Sequence, residues 1–259
     1  MTDIGFSCGT EFDHETAVTA AAEFDCEFIE LLMEGDYERR TCPTEGVRTA
    51  CERHGVDLLV HLPLRLPVGS PHEHIREGAV REAVDALETA SAMGARRAVL
   101  HARSDAWSPG YDREQVRDLI IRGCDAVSER SPEDVEMCVE NLTTPFFDID
   151  DFRLLFDRTD ASMTLDTGHA LVQGYDEDTQ AELIHEYPER VRHVHLNDTR
   201  TTSDDEHLPI GAGAVDFEPI LTAVESEATL TCEMFTFSLD YIETSVEHVR
   251  ELAAKTGST

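Results

Sequence analysis

Lysine is almost missing from this chain. Lys255 is the only one in 259 residues, and 21 Lys+Arg face 54 Asp+Glu for a formal net charge of −33. That balance argues against broad, non-specific attraction to nucleic acid phosphates. No stretch approaches the roughly 20 consecutive apolar residues that span a bilayer. The start, Met1-Thr2-Asp3-Ile4-Gly5, has no charged-then-apolar signal segment, so a soluble, untargeted protein is expected. No C-x-x-C occurs among the seven cysteines (Cys8, Cys26, Cys42, Cys51, Cys124, Cys138, Cys232), and most sit in apolar surroundings such as Met137-Cys138-Val139. An odd number of core-like thiols is the usage of a reducing compartment and fits the cytoplasm. Linkers and low-complexity segments are also lacking, so one domain over 1–259 is expected.

Hydrophobic residues make up 41%, too many for a disordered acidic chain, so the acid must coat a folded surface. Keeping arginine while nearly losing lysine fits a halophile's salt-rich cytoplasm, where a Debye length of about 3 Å at molar salt screens the self-repulsion.

Short apolar runs alternate with amphipathic stretches from end to end. The expected strands are Ile4–Ser7, Glu27–Leu32, Asp57–His61, Arg97–His101, Val135–Val139, Ser162–Leu165, Arg190–His195 and Ala228–Cys232. Most are continuous rather than alternating, as parallel strands covered by helices should be. Between them, Ile75, Ala79, Val80, Ala83, Val84 and Leu87 keep helical spacing, with Glu77 and Arg81 one turn apart outside. Val116, Leu119, Ile120 and Val127, and then Leu239, Ile242, Val246 and Val249, repeat that spacing. The pattern predicts an α/β fold, a single (β/α)8 TIM barrel. A doubly wound open sheet would carry a Gly-rich phosphate turn after an early strand, and none is present.

Active sites of such barrels lie at the C-terminal ends of the strands. The expected ends carry Glu30, His61, His101, Glu140, Asp166 with His169 just beyond, His195 and Glu233, with His207 in a following loop. A single histidine there is usually a hydrogen-bonded rim residue. Seven strands ending in His, Asp or Glu point to a shared cation, because unpaired buried charge is costly. Mixed carboxylate and imidazole donors suit Zn, Mn, Co or Fe rather than Ca.

Five strings carry a resemblance: Val139-Glu140-Asn141, Leu165-Asp166-Thr167-Gly168-His169-Ala170, Val194-His195-Leu196-Asn197-Asp198, the stretch Asp205-Glu206-His207 to Gly213, and Cys232-Glu233-Met234. In this order, over nearly the whole chain, they resemble the xylose isomerase-like TIM-barrel superfamily, which holds sugar and sugar-phosphate isomerases and epimerases and the apurinic endonucleases of the endonuclease IV type.

The sugar branch implies one divalent ion (Mn, Co, Zn or Mg) on Glu140, Asp166, His195 and Glu233. Glu140 and Glu233 would transfer the proton of an enediolate reaction on a ketose or its phosphate, and His169 would hold a substrate oxygen. Arg200 lies near the position of a carbonyl-polarising arginine, with its spacing from His195 off by one residue. Glu30 and Glu34 are candidates for sugar hydroxyls. Dehydration of a keto-sugar would use the same site, and dimers and tetramers are common in this branch. The endonuclease branch implies up to three zinc ions held by His61, His101, Glu140, Asp166, His169, His195, Asp205, His207 and Glu233, acting on a phosphodiester; every position is matched here.

Three departures place the sugar reading first. The first strand, Ile4-Gly5-Phe6-Ser7-Cys8, lacks the nuclease's glycine- and serine-rich opening. Glu30 to Glu34 stand where the nuclease has an aromatic, basic DNA-penetrating loop, with only Tyr37, Arg39 and Arg40 as substitutes. His101-Ala102-Arg103-Ser104 lacks the usual His-Pro-Gly. A third class is a barrel that binds metal or sugar without turnover. Around the site, Trp107 in the loop Arg103–Asp112 is a candidate lid against a sugar face. Arg39, Arg40, Arg65 and Arg103 are candidates for a substrate phosphate, and Phe146 and Phe147 for the pocket wall or the cover of a helix. Small-molecule binding without a membrane partner is expected, with nucleic acid only under the nuclease reading.

Overall fold

In the computed structural model, which describes residues 2–9, 11–201 and 203–256, the apolar runs close into a barrel of eight parallel strands in sequential order. The strands are β1 (Asp3–Cys8), β2 (Phe28–Leu32), β3 (Asp57–His61), β4 (Ala95–His101), β5 (Glu136–Glu140), β6 (Ser162–Asp166), β7 (Val191–Leu196) and β8 (Thr229–Cys232). Around them run α1 (His14–Glu23), α2 (Thr44–His54), α3 (Glu73–Met93), α4 (Arg113–Ser128), α5 (Phe152–Arg158), α6 (Thr167–Val172), α7 (Glu177–Glu186), α8 (Glu218–Ala223) and α9 (Leu239–Thr256). The expected (β/α)8 barrel is therefore present, with two helices rather than one between β6 and β7. Among the described residues no helix is long and apolar enough to cross a membrane.

Strand limits differ from the sequence expectation by a residue or two, and the differences have local causes. Glu27 lies just before β2, with its amide on the Ile4 carbonyl at 3.0 Å and its carboxylate accepting the Ile4 amide at 2.9 Å. β5 runs one residue further, so Glu140 is the last rung of the strand, paired with His101 and Thr164. Glu77 does not pair with Arg81; it reaches His74 at 3.7 Å.

Two separate interiors result from the period-two alternation of the strands. One face of each strand packs on the helices in a continuous apolar layer, with Phe6, Ile29, Leu31, Val60, Leu100, Val139 and Leu165 fully or almost fully buried. The other face points into the lumen, where Phe28, Leu59, Val99 and Cys138 are equally buried. A Cβ on Gly5 would overlap the Phe28 carbonyl and ring, so glycine there lets the aromatic fill the lumen. Further along the same lumen-facing rows the residues turn polar. The register sets Glu30 beside Ser7 and Leu59, Thr164 beside His193, and Asp166 and Thr231 on either side of His195.

Candidate metal centre

The polar rows converge at the C-terminal mouth. β3, β4, β5, β6 and β7 deliver His61, His101, Glu140, Asp166 and His195, and Glu233 follows β8 directly. Asn141 ties β5 to β6, donating to the Asp166 carbonyl at 3.0 Å and accepting the Asp166 amide at 2.8 Å. The Asp166 carboxylate caps α6 by accepting the His169 amide at 2.6 Å, and its other oxygen accepts from Asn197 at 2.8 Å. Such a cap satisfies an orphan helix amide and sets His169 one turn beyond the strand.

The segment between β7 and α8 is organised by buried Asp198. Its carboxylate accepts the amides of Gly211 at 2.9 Å, Gly213 at 2.8 Å and Val215 at 3.1 Å. A Cβ on Gly213 would overlap that carboxylate. Paired backbone bonds between Asp198 and Leu208, at 3.1 and 2.8 Å, fold the loop back over the mouth. His207 is thereby held at φ 44°, a left-handed conformation that a non-glycine residue adopts at some cost. Asp205 and His207 thus face His169, at 3.1 Å (Asp205 to His169) and 3.0 Å (Asp205 to His207).

Four overlapping groups of donor atoms could hold a metal ion: His61–His101–Glu140, Glu140–Asp166–His195–Glu233, Asp166–His169–His207, and Glu30–His61–His195. Glu140 links them. Its Oε2 lies 3.1 Å from His61 Nε2 and 2.9 Å from His101 Nε2, and its Oε1 lies 3.2 Å from His195 Nδ1. Glu233 Oε2 lies 3.3 Å from His195 Nδ1 and 3.4 Å from His207 Nδ1. Neither Glu233 Oε2 nor His207 Nδ1 makes a hydrogen bond, although both are buried.

Cations fit this donor set. The outer nitrogens of His61, His101 and His169 lie 2.9, 2.8 and 2.9 Å from the carbonyls of Leu62, Leu64 and Asn141. A carbonyl only accepts, so each Nδ1 carries the proton and each Nε2 directs a lone pair at a carboxylate. That contact repels unless a proton or a metal ion lies between. Without metal, protons do so only in part: despite burial, Asp166 and Asp205 carry His169 up to about 10 and Glu233 and Asp205 carry His207 up to about 9, whereas burial pulls His101 down against Glu140. Burial would raise Glu140, but His101 and His195 hold it well below the carboxylate range. Glu233, raised by burial and lowered more by His195 and His207, stands at about 2. Asp166 is pushed up to about 7 by burial and by Glu233 and Glu140, against the pull of His169 and His207.

A cavity of about 210 Å³ opens above the centre. His61, His101, Glu140, His169, Asp205, His207 and Glu233 form its floor, and Phe12, Leu64, Met234, Phe235 and Ile242 its wall; among the described residues no arginine lines it, Arg65 and Arg103 included. The Phe235 ring lies 4.5 Å from that of His207. All nine residues of the larger ligand set are assembled, whereas several surrounding candidates are elsewhere. Arg200 turns to Glu206 and does not line the cavity, because the Asp198-organised loop closes Glu206 onto it. Trp107 is 71% exposed, outside the lining, its ring against Gly110. Glu30 reaches the floor fully buried, and its oxygens are taken by His195, His193 and Thr231 rather than left for a sugar. Glu34 accepts the Leu64 amide at 3.1 Å. Arg39 pairs with Glu82 at 2.6 Å and Arg40 with Glu38 at 2.8 Å. Phe147 packs on Phe152 of α5, ring centroids 5.1 Å apart, as cover for that helix.

The sequence reading missed His193. It lies two residues before His195 on β7 and therefore on the same lumen face, and burial pushes it down to about 4, leaving it neutral. Thr229 and Thr231 stand at the same spacing before Glu233.

The model of the xylose isomerase-like TIM-barrel family matches residues 18–254. A protein from Natranaerobius thermophilus named probable endonuclease 4 is 29% identical over 180 residues, covering 62% of this chain and 62% of its own length. Among solved structures, a D-tagatose 3-epimerase-like protein superposes with TM-score 0.80 at 20% identity, covering 99% of this chain and 98% of that one. Endonuclease IV from Thermus thermophilus does so with TM-score 0.74 at 19% identity, covering 98% and 99%.

Proposed function

The chain belongs to the xylose isomerase-like TIM-barrel family, and from that premise we propose that it is a divalent-metal-dependent phosphoesterase with more than one ion per centre. One observation carries this reading: His61 and His101 both direct Nε2 at Glu140 Oε2, while His195 meets Oε1. A single-ion epimerase needs Glu140 to keep an oxygen free as a base. Here both oxygens lie within 3.2 Å of imidazole nitrogens, which supports Glu140 as a bridge between donor groups. The imidazole pair on its outer side has no task around a single ion.

In this reading Glu140, His61 and His101 would hold one ion, Glu140, Asp166, His195 and Glu233 the next, and His169, Asp205 and His207 the third. When bound, such ions supply Lewis acidity toward a phosphoryl oxygen and lower the pKa of water. The remaining work falls to the chain. Phe12, Leu64, Phe235 and Ile242 give the cavity an apolar wall, and such a wall lowers the local dielectric beside the charged floor. The relative named probable endonuclease 4 supports DNA with an abasic site as the first substrate to try.

A second reading, single-ion ketose epimerisation, is supported by the small cavity with no arginine in its lining and is the first reading of the sequence. Purification without added metal, followed by elemental analysis, separates the two. Two or three zinc per chain with incision of an abasic-site oligonucleotide supports the phosphoesterase. One ion per chain with proton exchange next to a ketose carbonyl overturns it.

A further inference from the structure

His195 is anchored unlike His61, His101 and His169. The outer nitrogens of His61, His101 and His169 rest on backbone carbonyls, but His195 turns Nε2 outward, 3.0 Å from Glu30 Oε1, and presents Nδ1 to Glu140 and Glu233. Behind Glu30 runs a file of buried polar groups. Glu30 Oε2 lies 2.8 Å from His193 Nε2 and accepts from Thr231 at 2.7 Å. His193 Nδ1 lies 2.5 Å from the Thr229 hydroxyl. Arg97 donates to that hydroxyl at 2.6 Å through one terminal nitrogen, while its other nitrogens hold Glu136 at 3.0 and 2.7 Å.

The Glu30 carboxylate sets the direction of donation. It only accepts, so neutral His193 carries its proton on Nε2 toward Glu30 and turns the Nδ1 lone pair to Thr229, whose hydroxyl donates to it and accepts from Arg97. Toward Glu30, His195 likewise carries a proton on Nε2; its Nδ1 faces the equally accepting Glu140 and Glu233 and is the nitrogen left to an ion on the metal-centre reading. We propose, on the metal-centre reading above, that Arg97, Thr229, His193 and Glu30 are positioning residues: a hydrogen-bond chain through the barrel lumen that fixes His195 as an Nδ1 ligand and thereby sets metal affinity. Carboxylate–histidine–metal arrangements of this kind typically govern affinity by about 10–100-fold. Here the chain ends on Arg97, four groups away.

The test uses the full chain loaded with zinc. Long-range ¹⁵N–¹H NMR of histidine-labelled protein should find His195 protonated on Nε2 with a zinc-shifted Nδ1, and His61, His101 and His169 the reverse. Glu30→Gln sets an amide NH2 against the His193 or Thr231 donors and should weaken zinc binding, measured by chelator competition, about 10–100-fold. Thr229→Val, which touches no donor of the centre, should weaken it by a smaller factor, and Thr229→Ser should restore it. Unfolding of the metal-free variants shows whether the fold survives. His195 bound through Nε2, or wild-type affinity in Glu30→Gln, overturns the inference. If the wild-type chain takes up no zinc, the metal-centre reading itself fails.

Discussion

Carboxylates occupy two regions of this molecule under opposite physical rules. Outside, Asp and Glu outnumber Lys and Arg by 54 to 21, and many sit on exposed helix positions such as Glu243 and Glu247 of α9. Water and salt screen each of them, and the exposed arginine pairs among them are worth little individually. Inside the mouth, Glu140, Asp166 and Glu233 are in the low-dielectric floor with five imidazoles. There each negative charge must be met by a proton or a metal ion, because burial takes it out of bulk solvent. The same residue type is thus a solubility device in one place and a ligand in the other, and burial decides which.

The largest expected effect comes from emptying the inner region at its hub. Glu140→Gln should lower turnover by about 10³-fold and reduce metal content, with the barrel retained by circular dichroism. Near-normal turnover would show that Glu140 bridges nothing. His61→Ala tests the outer edge of the same cluster. It should remove about one zinc per chain while His195 and Glu233 keep theirs; unchanged metal content would return the site to a single ion and the epimerase reading. Chelation should act next. A ligand present at 100 times its dissociation constant stabilises by about 2.7 kcal/mol, so stripping the centre should lower the melting temperature by about 5–10 °C in a chain of this size. A melting point indifferent to chelator would mean that protons alone neutralise the floor.

The barrel was legible in the sequence because continuous apolar runs alternating with helical spacing leave few alternatives, and the strand-end rule then located Glu140, Asp166, His195 and Glu233 without any contact information. The lumen file was not. Arg97, His193, Thr229 and Thr231 read as ordinary strand residues until the register sets them on one face, although counting back by two from His195 and Glu233 finds three of them. Arg200 pairs with Glu206 away from the cavity in a loop shaped by Asp198 accepting amides more than ten residues away, a pattern that spacing from His195 does not encode. Phe146 and Phe147 could belong to pocket or helix by pattern alone; ring packing on Phe152 assigns Phe147 to the helix.

The outer region should give the smallest single-site effects and a collective one. Glu243→Gln and Glu247→Gln, exposed and with no ion pair to another described residue, should each change stability by less than about 0.5 kcal/mol. Raising potassium chloride from 0.1 to 1 M shortens the Debye length from about 10 to about 3 Å, so repulsion summed over a net charge of −33 should relax and the melting temperature should rise. Potassium does not replace the imidazole-bound donors, so the same salt should leave zinc stoichiometry unchanged. If added salt instead lowered the melting point, the exposed acids would be contributing through their arginine pairs rather than repelling one another, and coat and floor would differ in degree only.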